Sequence, residues 1–153
     1  MTLPRTEPTA ESGPWVLDTD VCIEWLRRRR GIPERLRGLS PGDLAIVTIT
    51  EAELRYGALR SADPARHLEQ VESILDSGVA ILDFDRAAAA FHAEIRLATR
   101  RAPIGERDQV LAAVALANGY AVATGNSREL GRVPGLVTIN WLSKDTESNR
   151  TSR

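Results

Sequence analysis

Lysine is almost missing from this chain. Lys144 is the only one in 153 residues, so the 20 Lys and Arg side chains are nearly all arginine. Arginine's planar fork binds phosphate and carboxylate bidentately, which an ammonium group cannot do. Cysteine is as scarce. A lone Cys22 excludes an internal disulfide and makes the reducing cytoplasm the expected location. Its apolar helical setting reads as core, not as a catalytic thiol. Net charge is nearly absent too. A formal −1 gives no global pull toward nucleic acid, so any such pull is local. Aromatics are few and are not interleaved with basic residues as a base-stacking platform requires. Trp15 and Trp141 therefore read as core or interface residues. No apolar run approaches the roughly 18 residues of a membrane span, so no membrane partner is expected. The leader "MTLPRTEPTAESGP" lacks the apolar stretch of a secretion signal.

What remains is an ordinary globular composition, 42% hydrophobic and 27% charged. The expected organisation is a loose leader over 1–14, one domain over 15–142 and a loose tail over 143–153. Within the domain, short apolar runs alternate with helical patterns. Strands are expected at Trp15–Leu17, Leu44–Ile49, Val79–Phe84, "YAVATG" and Gly135–Trp141. Helices are expected at Val21–Arg29, "TEAELRYGALRSA", "PARHLEQVESILDSG", "DRAAAAFHAEIRLATRR" and "GERDQVLAAVALANG". The last is apolar nearly all round, so it is packed on more than one side, and Gly119 ends it. This alternation predicts an α/β fold, a mostly parallel sheet of about five strands with helices on both faces. Ligands of such sheets sit at the carboxyl ends of the strands.

Polar residues collect at those ends. Asp18 follows the first strand. Glu53 lies in the first turn after the second. Asp108 opens the apolar helix, and Thr124 and Asn126 close the fourth strand. Each has an ordinary structural reading. Asp20 can cap the helix it precedes. Thr50 and Glu53 match a capping box. Asp108 can complement a helix N-terminus, and Asn126 can be a turn residue. Capping does not, however, require all of them to share one sheet edge. Two carboxylates about 4 Å apart repel by about 4 kcal/mol at an effective dielectric near 20. A hard divalent cation with oxygen ligands is the natural counter-charge. Zinc is not suggested, because His67 and His92 lie on separate helices and the cysteine is alone. The run Arg27–Arg30 reads as a solvated helix C-terminus, or as a contact for substrate phosphates or an acidic partner. Arg55, Arg100, Arg101 and Arg107 carry the same two readings.

Four segments, "VLDTDVCIEWL", "ITEAELRYGA", "PIGERDQVLAAVALANGYAVATGN" and "VPGLVTINWL", resemble the PIN-domain ribonucleases, specifically the VapC toxins of toxin–antitoxin pairs. The resemblance spans Trp15 to Leu142. It implies a three-layer α/β/α sandwich and Mg²⁺- or Mn²⁺-dependent cleavage of RNA. It also implies a homodimer and a cognate antitoxin that blocks the site. The family acids fall on Asp18, Glu53 and Asp108, with Asp18 and Asp108 as metal ligands and Glu53 as a third ligand or a water-orienting group. The fourth polar position falls on Asn126, with Thr124 beside it, where the wider family often has aspartate. Asp20 stands where asparagine or serine is common, and it is expected to cap the helix. Glu106 is a further auxiliary acid. The leader is longer than the family's, which leaves Met1 in question as the natural start. Two rival readings remain. "LDTDV" also resembles the nucleophile motif of haloacid-dehalogenase-type phosphatases, though Lys144 is the only lysine to serve the phosphate. The chain could also be an inactive PIN-like binding module.

Overall fold

In a computed structural model, residues 7–143 are described. The expectations for 1–6, for the tail from Lys144 and for the natural start lie outside them. The described chain forms one five-stranded sheet. Its strands are β1 (Trp15–Leu17), β2 (Leu44–Val47), β3 (Ala80–Leu82), β4 (Ala121–Thr124) and β5 (Thr138–Asn140). All pairings are parallel, in the order β3-β2-β1-β4-β5. The helices are α1 (Thr19–Leu26), α2 (Ile32–Arg37), α3 (Thr48–Leu59), α4 (Pro64–Leu75), α5 (Arg86–Ala98), α6 (Glu106–Asn118) and α7 (Ser127–Leu130). No helix among the described residues is long and apolar enough to cross a membrane.

Alternation along the strands builds two cores. Trp15, Leu17, Leu44, Ile46, Ala121 and Ala123 face α1 to α4. Val16, Ala45, Val47 and Val122 face α5, α6 and α7. Both faces are covered, as the continuous apolar strands require. Residues Leu111–Ala115 of α6 are all buried, which accounts for its apolar character on every side. Gly119 closes that helix in the left-handed region at φ 73°, where a Cβ would be strained. Asp85 and Asp63 cap α5 and α4 by accepting amide hydrogens from Ala88 and Arg66. Trp15 and Trp141 are both buried, with ring centroids 5.4 Å apart, so they are core.

Several local expectations need correction. The β-branched run after β2 does not stay extended. Strand β2 ends at Val47 and α3 starts at Thr48, two residues early. Thr50 is thus buried inside the helix, and no Thr50–Glu53 capping box forms. The N-cap position is Val47, without a side-chain cap. The arginine run begins at the C-terminus of α1, where Arg27 is the C-cap, but it does not extend the helix to Arg29. Helix α1 stops at Leu26, and Arg28 and Arg30 take left-handed φ of 53° and 59° in the following turn. Arg29 pairs with Glu24 of α1, and Arg30 donates to the Leu142 carbonyl. Helices α2 and α7 are additional to the five that the sequence pattern predicts. Residues 7–14 include a turn in which the Gly13 amide donates to the Thr9 carbonyl. The Trp15 indole donates to the Ala10 carbonyl.

Candidate active site

The sheet register sets the centre of the site. Leu17 of β1 is opposite Ala123 of β4, so Asp18 and Thr124 leave the sheet side by side. The Asp18 amide continues the ladder by donating to the Ala123 carbonyl at 2.9 Å. Strands β1 and β4 meet where the strand order changes direction, so a crevice opens past their carboxyl ends.

Asp18, not Asp20, is the cap of α1, contrary to expectation. Its Oδ1 accepts from the Thr19 amide at 2.7 Å. Its Oδ2 accepts from the buried Thr124 hydroxyl at 2.8 Å. That hydroxyl in turn accepts from the Asn126 amide at 2.8 Å. Asp20 sits inside the first turn of α1. Its Oδ1 accepts from the Val21 amide and its Oδ2 from the Gly125 amide, both at 2.8 Å. It therefore ties the β4–α7 loop to the start of α1. Gly125 is required for this closeness: a Cβ there would lie 2.6 Å from Asp20 Oδ2 and 2.8 Å from Leu142 Cδ1. Burial raises the Asp20 carboxyl above its ordinary range, and the neighbouring Asp18 charge adds to the effect.

Helix α6 delivers Asp108 from the other side. Asn126 Nδ2 donates to its Oδ2 at 3.4 Å. Its pKa is pushed up to about 6, first by burial, then by the charges of Asp18 and Glu129 and by a hydrogen bond with Glu129; Arg107 opposes the rise. Glu129 of α7 was missed in the sequence. It lies in "SREL", a four-residue helix too short to show a periodic pattern. A cleft of about 630 Å³ joins Asp18, Asp20, Glu53, Glu106, Asp108 and Asn126. Glu53, in the second turn of α3, lines it but is paired with Arg107 of α6. Glu106 also lines the cleft and is exposed.

The candidates thus share one edge of the sheet but do not share one contact. Among the described residues, no three acidic, histidine or cysteine side chains converge as a ready metal cage. What the site offers is Asp18 and Asp108, close enough for one charge to raise the other's pKa, with Glu129 behind Asp108. Such a pair fits a hard cation held by one or two carboxylates, with water and phosphate oxygens completing its shell. Histidine takes no part. His67 is bonded to Ser61 and the Asp63 carbonyl on α4, and His92 stacks edge-on against Phe84.

The chain is similar in sequence and fold to known proteins. A family model described as "PIN domain" matches residues 15–136. A relative from Shigella flexneri, named tRNA(fMet)-specific endonuclease VapC, is 36% identical over 129 residues, 83% of this chain and 97% of its own length. The crystal structure of DNA-bound VapBC from Salmonella typhimurium aligns with a TM-score of 0.76 at 36% identity, over 83% of this chain and 97% of the other. VapBC2 from Rickettsia felis, bound to a promoter DNA fragment, aligns with a TM-score of 0.76 at 26% identity, over 83% and 98%.

Proposed function

The chain belongs to the PIN-domain family, and from that membership we propose that it is a divalent-metal-dependent endoribonuclease, the toxin of a toxin–antitoxin pair. The observation that carries this reading is the Asp18–Asp108 pair at the β1/β4 crevice, whose mutual repulsion asks for a cation. Mg²⁺ is the expected ion, with Mn²⁺ able to replace it. The partners are an RNA substrate, a cognate antitoxin and a second copy of the chain, in the cytoplasm. Two structural neighbours are VapBC complexes bound to DNA, and a third, from Mycobacterium tuberculosis, is a member of the VapBC family of toxin–antitoxin systems. A relative named for tRNA(fMet) makes tRNA the first RNA to try.

Asp18 and Asp108 would hold the ion. When bound, it supplies charge neutralisation at a phosphodiester and acidifies water. The chain's own groups do the rest. The Thr19 amide and the Thr124 hydroxyl fix both oxygens of Asp18, so its carboxylate is oriented before anything binds. Asn126 steers Asp108 through its side-chain amide. Glu53 orients the attacking water or completes the ligand set, and Glu106 is an auxiliary acid at the rim. Asp20 positions the loop, because both its oxygens are committed to backbone amides. That commitment disfavours the phosphatase reading, in which Asp20 would be a free acid–base. An inactive binding module is disfavoured by the presence of all three acids, Asp18, Glu53 and Asp108. The test is cleavage of a tRNA transcript in Mg²⁺, with EDTA and with Asp18→Asn as controls. Both controls should lower the rate by more than 100-fold, the order of effect expected when charge stabilisation is lost. Equal cleavage by Asp18→Asn would refute the assignment.

A further inference from the structure

The cleft is lined by five carboxylates, those of Asp18, Asp20, Glu53, Glu106 and Asp108, and by one cation, Arg107, among the described residues. This is a difficult surface for an anionic substrate. A cation at Asp18 and Asp108 would offset only part of the charge. Arg107 sits in the first turn of α6, directly before Asp108, and reaches across the mouth of the cleft to Glu53 on α3. Both partners are open to solvent, with side-chain exposures of 63% and 31%. Ion pairs of that kind contribute little and break easily. A phosphodiester offers the guanidinium the same two-oxygen face that a carboxylate does.

We propose that Arg107 is the substrate-phosphate receptor of the cleft, held by Glu53 until RNA arrives. This inference rests on the ribonuclease reading above. On binding, the guanidinium exchanges the Glu53 carboxylate for the non-bridging oxygens of an RNA phosphate. Two things follow from a single exchange. The phosphate is fixed beside Asp108, and Glu53 is released to face the water it orients. Glu53 thus competes with RNA for Arg107, and the two residues are energetically linked in binding as well as in chemistry.

The test measures binding apart from cleavage. A fluorescent tRNA transcript is titrated into the full chain carrying Asp18→Asn, at several salt concentrations. Adding Arg107→Ala should weaken binding about 10-fold, the low end of a charge-assisted hydrogen bond. It should also make the plot of log affinity against log salt shallower by about 0.7, one phosphate's share for a single strand. Adding Glu53→Gln instead should tighten binding about 2- to 5-fold, the measure of a surface ion pair removed. The distinguishing outcome is the double substitution. If Glu53 acts by competing for Arg107, the gain from Glu53→Gln disappears once Arg107 is alanine. If the gain persists there, it comes only from lowering negative charge, and the exchange is refuted. An unchanged affinity and salt slope in Arg107→Ala, with wild type cleaving RNA, would overturn the inference and leave the ribonuclease reading intact. A wild-type chain that neither binds nor cleaves RNA would overturn both.

Discussion

Asp108→Asn removes one charge from the crowded cleft and keeps the shape of the side chain. The Asp108 carboxyl stands at about 6 in the folded chain against an ordinary 3.8. Each unit is worth 1.36 kcal/mol, so the roughly two-unit rise corresponds to about 3 kcal/mol. Asp108 is partly exposed, and solvent screening brings the useful figure down to about 1–2 kcal/mol. The sign follows from proton linkage. Between pH 3.8 and about 6 the folded chain holds a proton that the unfolded chain has released. Stability from this group is therefore highest below that window, falls through it and is flat above it. Asparagine cannot ionise, so the variant escapes the loss. In EDTA at pH 7.5 its melting temperature should exceed that of wild type by about 3–6 °C for a chain of this size. At pH 4.5 most of the difference should vanish. Mg²⁺ should reverse the order, because only wild type retains the carboxylate that binds it. Thermal unfolding followed by circular dichroism at the two pH values measures all of this. A variant that melts below wild type at pH 7.5 would show that Asp108 acts as a helix-terminal stabiliser. A gain equal at both pH values would show that charge is not the cause.

Thr124→Val keeps the buried volume but removes the donor to Asp18 Oδ2 and should cost about 1 kcal/mol in stability. It should also weaken Mn²⁺ binding, and calorimetric titration showing unchanged affinity would remove Thr124 from the site. Gly125→Ala has no room for its methyl group between Asp20 and Leu142. It should cost about 1–3 kcal/mol and lower cleavage together with stability, and a variant of normal melting temperature would contradict the tight approach. Burial, with the Asp18 and Asp20 charges, pushes the Cys22 thiol well above its ordinary pKa. It should react with a thiol reagent only on unfolding, so rapid labelling of the native chain would contradict its buried placement.

Much of the layout could be read from residue patterns. The short, β-branched apolar runs around Val16, Ile46 and Val122 read as buried strands, and Asp85 and Gly119 marked helix ends by local chemistry. The part that could not be read depends on long-range contacts. Asp18 and Asp20 each satisfy the local rule for a cap. The choice between them is made by the hydrogen bond of Asp18 to Ala123, over a hundred residues away. The same holds for Asp20, whose partner Gly125 is equally remote. Thr48 and Ile49 are β-branched, yet α3 claims them. Arg107 could be named in the sequence as a cation of two readings, but its pairing with Glu53 needed α3 and α6 in place.

Pairing β1 with β4 has an effect during synthesis. Asp18 leaves the ribosome first, and Thr124, Gly125, Asn126 and Glu129 follow more than a hundred residues later, Thr124 by 106. A partly translated protein can bury Leu17 against β2, yet it has no fourth strand to complete the crevice. For a chain that would cut RNA, the proposed catalytic edge therefore cannot form until residues 121–129 have been made, because Asp18 lacks its β4 neighbours before then.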